Sequence, residues 1–334
     1  MRNQLGRFAK PFLLMILISI LASTACNRGS DQKINIPSRE SENTSECRAI
    51  QHRLGAACIP LEPERIIALD VPAILDPLLA LDIKPVGTVS DLWGGGRYFP
   101  AVLPELVTGI ESVGLEATPS LEKIAALKPD LILMPDHTDQ SYQQLSAIAP
   151  TVLIDVFRDK IPIKENFRYI AQLVGKEEKA EEVLDQYQKR VEDFRKQLGD
   201  QLQNMEISAI AHYSNEFWVT PNNDSGFEVM KDIGLPIKPI FLEQDEWATF
   251  SIEVIDRYDA DILFIIEDAD EDGSTSYLSQ EPLILSLEAV KNGRAYIVSP
   301  KIWTFGGPIG MNLFLDDLAK YLLEGKQDPH FEKS

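Results

Sequence analysis

Tryptophan residues in or near loops are the side chains of this chain best suited to contact a small molecule. They are Trp93, Trp218, Trp247 and Trp303, and Tyr98 lies in a similar loop. Aromatic rings give large apolar contact areas with a polar handle, so a cleft lined by them suits a bulky, partly apolar ligand. Local packing is the alternative for any one of them.

Two arginines follow predicted strands and could hold an anionic group. Arg97 comes after Pro85–Ser90, and Arg158 comes after Thr151–Asp155. The planar guanidinium pairs with carboxylate, catecholate or hydroxamate oxygens. The chain has 52 acidic and 32 basic residues and a net charge of -20, which argues against nucleic acid as a partner. In so acidic a chain, arginines at a cleft favour an anionic ligand, with solvated surface arginines as the alternative.

Direct metal binding and catalysis have little support in the sequence. The histidines are scattered without ligand spacing, at His52, His137, His212 and His330. DADEDG at Asp268–Gly273 begins like a calcium loop, but Ser279 stands where a bidentate glutamate belongs. The nucleophile elbow, the zinc-protease helix and the phosphate-binding glycine loop are missing from the sequence. We therefore expect no enzyme activity, no metal bound directly by side chains and no cofactor.

The amino-terminal residues 1–26 have the features of an export signal. Basic residues precede the apolar run Phe12–Ala22, and small residues precede Cys26. The run is shorter than the roughly 20 residues that span a bilayer, which favours a secretory signal. Residues 27–46 are polar and predict a flexible tether. The remaining body is long enough for two domains.

Beyond Cys26 the chain has one pair of cysteines, Cys47 and Cys58. An even number in an exported chain favours a disulfide, here closing a hairpin that turns near Gly55. Two free thiols remain the alternative.

Short apolar runs alternate with amphipathic segments, which predicts an α/β fold with mainly parallel sheets. The expected strands are Arg65–Asp70, Pro85–Ser90, Asp130–Pro135, Thr151–Asp155, Glu206–Tyr213, Glu216–Thr220, Asp261–Ile266 and Ala295–Ser299. The expected helices are Pro72–Leu81, Ser120–Leu127, Ser141–Ala149, Lys164–Val174, Lys176–Leu198, Phe227–Ile233, Ser251–Tyr258, Leu283–Lys291 and Met311–Leu323. The long helix at residues 176–200 would join an amino-terminal lobe, 47–175, to a carboxyl-terminal lobe, 201–334.

A repeated pattern supports two like halves. SLEKIAALKPDLIL at Ser120–Leu133 and SIEVIDRYDADILF at Ser251–Phe264 share Ser, Glu, Ile and Asp at equal positions. Each copy predicts a serine helix cap, a glutamate in the first turn and an aspartate before a buried strand. The repeat therefore places Glu122 and Glu253 equivalently in the two halves.

Three segments carry a resemblance to a known family. QHRLGAACIPLEPERIIALDVPAILDPLLALDIKPVG resembles the opening of the iron-complex and cobalamin substrate-binding proteins of bacterial ABC importers. PSLEKIAALKPDLIL resembles the next signature of that family, and WTFGGPIGMNLFLDDLAKYLL resembles its closing segment. The resemblance implies two Rossmann-like lobes joined by one long rigid helix.

The resemblance also assigns roles to residues. It implies that Glu122 and Glu253 dock on the permease of an ABC transporter, and that the permease and ATPase complex is the partner, although each glutamate could merely stabilise a helix N-terminus. Trp247 matches a pocket tryptophan of the cobalamin-binding relatives. Cys26 after small residues resembles a bacterial lipoprotein signal. The implied location is the cell envelope, facing the periplasm, with a lipid anchor at Cys26 in a membrane.

These observations together predict a monomeric protein that binds an iron(III)–siderophore complex and delivers it to an import permease. The contacts would come from Trp93, Arg97, Tyr98, Arg158, Trp218, Trp247 and Trp303. Cobalamin or haem as the ligand is the first alternative. An exported hydrolase and an adhesive surface lipoprotein are alternatives from other classes.

Overall fold

The computed structural model describes residues 47–93, 96–98, 102–155, 160–201, 203, 205–213, 216–221, 224–244, 246–267, 277–304, 306–325 and 331. For residues 91–93, 96–98 and 277 the description covers the backbone alone. Cys26, the predicted signal and the predicted tether lie outside these residues. No helix within the described ranges has both the length and the apolar character needed to cross a membrane.

Strands and helices alternate along the chain. In chain order the strands are β1 (Cys47–His52), β2 (Gly55–Pro60), β3 (Ile66–Ala68), β4 (Gly87–Thr88), β5 (Asp91–Trp93), β6 (Gly96–Tyr98), β7 (Glu111–Ser112), β8 (Gly114–Leu115), β9 (Thr118–Pro119), β10 (Leu131–Pro135), β11 (Thr151–Ile154), β12 (Ile207–Tyr213), β13 (Glu216–Val219), β14 (Ala248–Phe250), β15 (Ile262–Ile266) and β16 (Ala295–Val298). The α-helices are α1 (Asp76–Ala80), α2 (Pro104–Val107), α3 (Leu121–Ala126), α4 (Tyr142–Ser146), α5 (Ile163–Val174), α6 (Glu177–Leu198), α7 (Ser225–Ile233), α8 (Pro239–Leu242), α9 (Pro282–Leu285), α10 (Glu288–Lys291), α11 (Pro300–Trp303) and α12 (Pro308–Leu322).

The first sheet is parallel throughout, in the order β11-β10-β3-β4-β7. Its interior strand β10 (LILMP) is buried along its whole length, because helices cover both faces of the sheet. One face packs against a core that includes Leu78 and Phe167, and the other against a core that includes Ile124 and Leu145. The apolar run seen in the sequence therefore marks a strand covered on both sides.

The second sheet is mixed, in the order β14-β13-β12-β15-β16. Strands β12, β15 and β16 are parallel, whereas β13 and β14 run antiparallel to their neighbours. The reason for the reversal is the two-residue connection between β12 and β13, which is long enough only for a hairpin. The predicted α/β class is confirmed, with a mixed sheet in the second half.

The long helix α6 joins the two cores. Its amino-terminal apolar residues Ala180 and Leu184 pack into the first core. Its later apolar residues, Tyr187, Val191 and Phe194, pack into the second. The spacing of three and four residues puts all of them on one face of the helix. The helix before it, α5, ends at Gly175, which adopts the left-handed conformation with φ 67°.

Several predicted helices take other forms in the structure. Pro72–Leu81 consists of a π-helical turn at Val71–Leu75 followed by α1. Leu283–Lys291 divides into α9 and α10, because the Asp259 carboxylate accepts from the backbone N–H of Glu288 and begins a second helix there. Ser251–Tyr258 forms a 3-10 helix, Ile252–Tyr258, with a kink at Val254. Its β-branched residues favour the α-helix less than the Lys and Ala of the first copy.

Candidate functional site

The carboxyl ends of parallel strands β3, β10 and β11 meet at one edge of the first sheet, where ligands of open α/β sheets bind. An acidic residue follows each strand, at Asp70, Asp136 and Asp155. Asp70 and Asp136 are buried. Asp70 also accepts the backbone N–H of Ala73 at 2.6 Å and so begins the π-helical turn. This edge therefore carries buried carboxyl groups, and one of them caps the helix that follows.

A cavity of about 710 Å³ opens at this edge. Its walls come from the β8–β9 hairpin, which follows β7, and from the 3-10 turn Asp136–Ser141 and α4, which follow β10. The lining residues are Glu116, Ala117, Thr118, Pro119, Leu121, His137, Thr138, Gln140, Ser141 and Gln144. The volume falls within the range of small-molecule sites, and the lining offers hydroxyl and amide groups for hydrogen bonds.

His137 and Glu116 form an ion pair in the wall of this cavity. The hydrogen bond to Glu116 is the main cause that raises the pKa of His137, and the charges of Asp70 and Asp136 act in the same direction while burial opposes them. The imidazole is 41% exposed. The pair therefore keeps a hydrogen-bond donor at the cavity surface. The sequence does not predict Glu116 as a site residue, because no motif includes it.

Arg53 brings a positive charge to the same edge from the β1–β2 hairpin. Its guanidinium donates to Asp139 at 3.2 Å, to Asp155 at 3.3 Å and to the carbonyl of Asp136 at 3.4 Å. Sequence reasoning missed this arginine, because its partners lie 83 to 102 positions away. Arg53 ties the hairpin to the loops that follow β10 and β11.

The hairpin that carries Arg53 is closed by a disulfide between Cys47 and Cys58, whose Cα atoms are 5.4 Å apart. His52 packs edge-on against Tyr142 with ring centroids 5.2 Å apart. Gly55 turns the hairpin with φ 147°, a conformation that favours glycine. His52 is therefore a packing residue, and the disulfide fixes the base of the element that positions Arg53.

Aromatic and ionisable groups also gather at the carboxyl edge of the second sheet. His212, on β12, bonds Glu267, directly after β15, at 2.8 Å. Its ring lies 4.8 Å from that of Phe217, which stacks on Phe250. Tyr213 ends β12 with half of its surface exposed. His212 and Phe217 are buried, so Tyr213 is the most exposed of these rings, whereas the first edge carries a polar cavity.

Two of the predicted ligand tryptophans lie on the second sheet or next to it. Trp218, on β13, is partly buried against the second core, and its indole N–H is buried without a hydrogen-bond partner among the described residues. Trp247 directly precedes the edge strand β14 and is 41% exposed. Its neighbour Glu246 forms an ion pair with Lys160, which follows β11 of the first sheet, at 2.9 Å. Trp247 therefore lies where the two halves meet.

Trp303 is a core residue, which corrects the expectation that it contacts a ligand. The side chain is 2% exposed. Its ring packs against Phe264 and Phe314, with centroids 4.4 and 4.5 Å away. The indole N–H donates to the buried Asp317 at 2.7 Å. The physical reason is that the short helix α11 turns this face towards α12 and not towards an opening.

The repeated pattern has structural roles at most of its identical positions. Ser120 and Ser251 cap the following helices through their hydroxyls, and Ile124 and Ile255 are buried.

The aspartates of the repeat fix the start of a neighbouring strand. Asp130 accepts the backbone N–H groups of Glu64 and Arg65 at 2.8 and 2.9 Å. Asp261 accepts that of Glu206 at 2.8 Å. These residues lead into β3 and β12, the equivalent strands of the two sheets.

Glu122 and Glu253 are exposed in the first turns of α3 and of the 3-10 helix Ile252–Tyr258. Each helix leads back to the amino end of the next parallel strand, so each glutamate lies near the carboxyl edge of its own sheet. The Ser, Ile and Asp of the repeat serve the fold, whereas the glutamates point into solvent.

Other predicted site residues lie outside the description, either entirely or with their side chains. Arg158 and the acidic segment Asp268–Gly273 lie outside the described residues. The backbones of Trp93, Arg97 and Tyr98 belong to the β5–β6 hairpin, but their side chains lie outside the description. Among the described residues no three His, Cys, Asp or Glu side chains are grouped to hold a metal ion.

Comparison with known proteins links this chain to binding proteins. The model of the family described as periplasmic binding protein matches residues 96–301. A probable siderophore-binding lipoprotein of Bacillus subtilis, YfiY, is 33% identical over 329 residues, which cover 94% of this chain and 98% of that protein. An achromobactin-binding periplasmic protein of Dickeya dadantii is 30% identical over 270 residues, covering 77% and 86% of the two chains.

A solved structure agrees in fold. Staphylococcus aureus SirA complexed with staphyloferrin B superposes with a TM-score of 0.68 and 26% identity, covering 82% of this chain and 98% of SirA. The two-lobed α/β prediction is confirmed by this likeness. The match over most of the chain, in sequence and in fold, shows that this chain belongs to the periplasmic binding protein family.

Proposed function

We propose that this chain captures a ferric siderophore between the carboxyl edges of its two sheets and delivers it to an ABC-type import permease and its ATPase. The observation that carries the proposal is the 33% identity of this chain, over 94% of its length, to a probable siderophore-binding lipoprotein. The cavity of about 710 Å³ adds a polar recess at the edge of the first sheet, lined by residues of the first half. The family is one of binding proteins and not of enzymes. The iron chelate is cargo, and no cofactor is needed.

The ligand contacts remain as the sequence suggested, except for Trp303. Arg97 and Arg158 would pair with anionic oxygens of the chelate. Its organic shell would contact Trp93, Tyr98, Trp218 and Trp247. The exposure of Trp247 and its position beside the Lys160–Glu246 ion pair support its place in this set.

Glu122 and Glu253 would dock the loaded protein on the permease. Both are exposed near the carboxyl edge of a sheet, so one face of the molecule would present the ligand and both carboxylates. Charge complementarity at two separated points fixes orientation better than one point can. The chain would act as a monomer anchored in a membrane of the cell envelope through a lipid on Cys26, facing the periplasm.

A binding titration of the chain from residue 27 onward tests the ligand. Calorimetry measures the affinity of the chain for each of five probes: iron(III) citrate, ferrioxamine B, ferric enterobactin, cobalamin and haem. We expect at least one iron chelate to bind, and Arg97→Gln or Arg158→Gln to weaken it by about tenfold or more. Arg168→Gln is the control, because this arginine pairs with Glu181 on the surface. Binding of cobalamin or haem alone would overturn the proposal.

An uptake assay tests docking separately. The double variant Glu122→Ala, Glu253→Ala should retain its affinity for the chelate and lose uptake in cells. Glu178→Ala with Glu192→Ala on the exposed side of α6 is the matched control and should keep both. Full uptake by the first double variant would exclude docking through these glutamates.

A further inference from the structure

A buried carboxylate joins the first half of the molecule to the second. Asp76, at the start of α1, is completely buried. Its Oδ2 accepts the backbone N–H groups of Gly307 and Gly310 at 3.0 and 2.9 Å, and its Oδ1 accepts that of Ile309 at 2.8 Å. These groups form the amino terminus of α12. Helix α1 packs into the first core, whereas α12 packs into the second.

The space around this bond admits only glycine at position 307. A Cβ atom there would lie 2.7 Å from the Asp76 Cγ and 2.8 Å from the carbonyl oxygen of Pro72. The φ of Gly307 is -89°, which any residue adopts. The glycine is therefore required for the close approach of α12 to the carboxylate and not for its backbone conformation.

A second carboxylate makes the same kind of bond in the opposite direction. Glu228, on α7 of the second half, accepts the backbone N–H of Ile163 at the start of α5 at 3.1 Å. Lys164 of α5 forms an ion pair with Asp232 of α7 at 2.5 Å. Asp232 also accepts the hydroxyl of Tyr187, on α6, at 2.8 Å. The Glu228, Asp232 and Lys164 side chains are all at least three-quarters covered.

Helix amino termini carry free N–H groups and a partial positive charge, so a carboxylate from another element is strongly held there. Each half of this molecule thus supplies a carboxylate to a helix of the other half. The linking helix α6 alone would fix the distance between the halves but leave them free to twist about it. Two further bonds, on different helices, would oppose that rotation.

We propose that Asp76 and Glu228 are positioning residues, a pair of reciprocal helix caps that sets the angle between the two halves before ligand arrives. The inference rests on the proposed function, since this angle aligns the two sheet edges that would hold the chelate and the two glutamates that would dock.

Pulsed electron–electron double resonance reports a change in this angle as a change in the distance between two spin labels. Spin labels are placed at Gln143→Cys on α4 and Lys291→Cys on α10, both exposed, in the chain from residue 27 onward. Asp76→Asn sets an amide NH2 against the backbone donors of α12, because Asn has one accepting oxygen in place of two. We expect the distance distribution of the unliganded protein to widen about twofold. Affinity for the chelate bound by the wild type should fall about tenfold.

Glu228→Ala provides a second test, because this side chain is nearer the surface than that of Asp76 and alanine, unlike glutamine, leaves no oxygen to accept the Ile163 N–H. It should widen the same distribution even if Asp76→Asn does not fold. Asp193→Asn, an exposed carboxylate of α6 paired with Lys196, is the control and should change nothing.

A purely structural role would lower the melting temperature of the folded variants and leave the distance distribution and the affinity unchanged. That outcome in Glu228→Ala and in any folded Asp76→Asn would overturn the inference. The distances are measured without ligand, so the two proposals fail separately. Absence of binding to every iron chelate by the wild type would refute the proposed function, whereas an unchanged distance distribution would refute the reciprocal caps.

Discussion

Trp303 and Trp247 should respond in opposite ways to the same substitution by phenylalanine. Trp303 is buried, and its indole N–H bonds the buried carboxylate of Asp317. Losing a hydrogen bond to a charged group costs about 2 kcal/mol. The smaller ring removes about 1 kcal/mol more of apolar burial. Trp303→Phe should therefore lower the free energy of unfolding by roughly 3 kcal/mol and leave chelate affinity unchanged.

Trp247 is 41% exposed, so Trp247→Phe should cost less than about 1 kcal/mol of the free energy of unfolding. Its expected effect is on binding. An aromatic contact contributes about 0.5 to 1.5 kcal/mol beyond area burial, which corresponds to a loss of affinity of about threefold to tenfold.

Urea denaturation followed by far-UV circular dichroism gives the stabilities without relying on tryptophan fluorescence. Calorimetry with the chelate that the wild type binds gives the affinities. The reasoning would be refuted if Trp303→Phe weakened the ligand by tenfold while the free energy of unfolding fell by less than about 1 kcal/mol. That result would indicate that Trp303 contacts the ligand.

Two further predictions concern single carboxylates. Asp130→Ala should lower the free energy of unfolding by about 2 kcal/mol and Asp261→Ala by about 1 kcal/mol. The reason is that Asp130 accepts two backbone N–H groups and Asp261 accepts one, and partial exposure weakens each of these hydrogen bonds. Equal losses of the free energy of unfolding in urea denaturation would contradict this account. Glu116→Gln should lower the pKa of His137, measured by NMR titration with His52 as internal reference, because the Glu116 hydrogen bond is the main cause that raises it. The pair stabilises the fold below the ordinary histidine pKa of 6.5, and this contribution is lost as the pH rises through the raised value; an unchanged His137 titration would rule out the assignment.

Local patterns were sufficient to predict most of the fold. The apolar spacing of α6 and the continuous runs of β10 and β15 are properties of a few consecutive residues, and the structure has each element close to its predicted bounds. The antiparallel direction of β13 depends on connection length, which the sequence also contains. The 3-10 form of Ile252–Tyr258 depends on small differences in helix propensity between the two copies of the repeat. The residues that the copies share do not reveal these differences.

The candidate site was harder to predict, because its contacts join distant residues. Arg53 was overlooked since nothing near it in sequence indicates Asp139 or Asp155. Trp303 was misplaced because a position after a strand does not tell which way a short helix turns its ring. Its partner Asp317 lies 14 positions further along the chain. Glu116 is recognisable as a site residue only through its contact with His137, and the β8–β9 hairpin brings Glu116 to that histidine.

The bond between Asp76 and Gly307 spans 231 positions of the chain. The ribosome synthesises Asp76 long before the amino terminus of α12. The backbone donors of the Asp76 carboxylate therefore exist only when nearly the entire chain has been made. Residues 47–306 by themselves leave the Asp76 carboxylate without its three backbone donors. A stop codon anywhere before residue 307 would disturb a helix encoded in the first quarter of the gene.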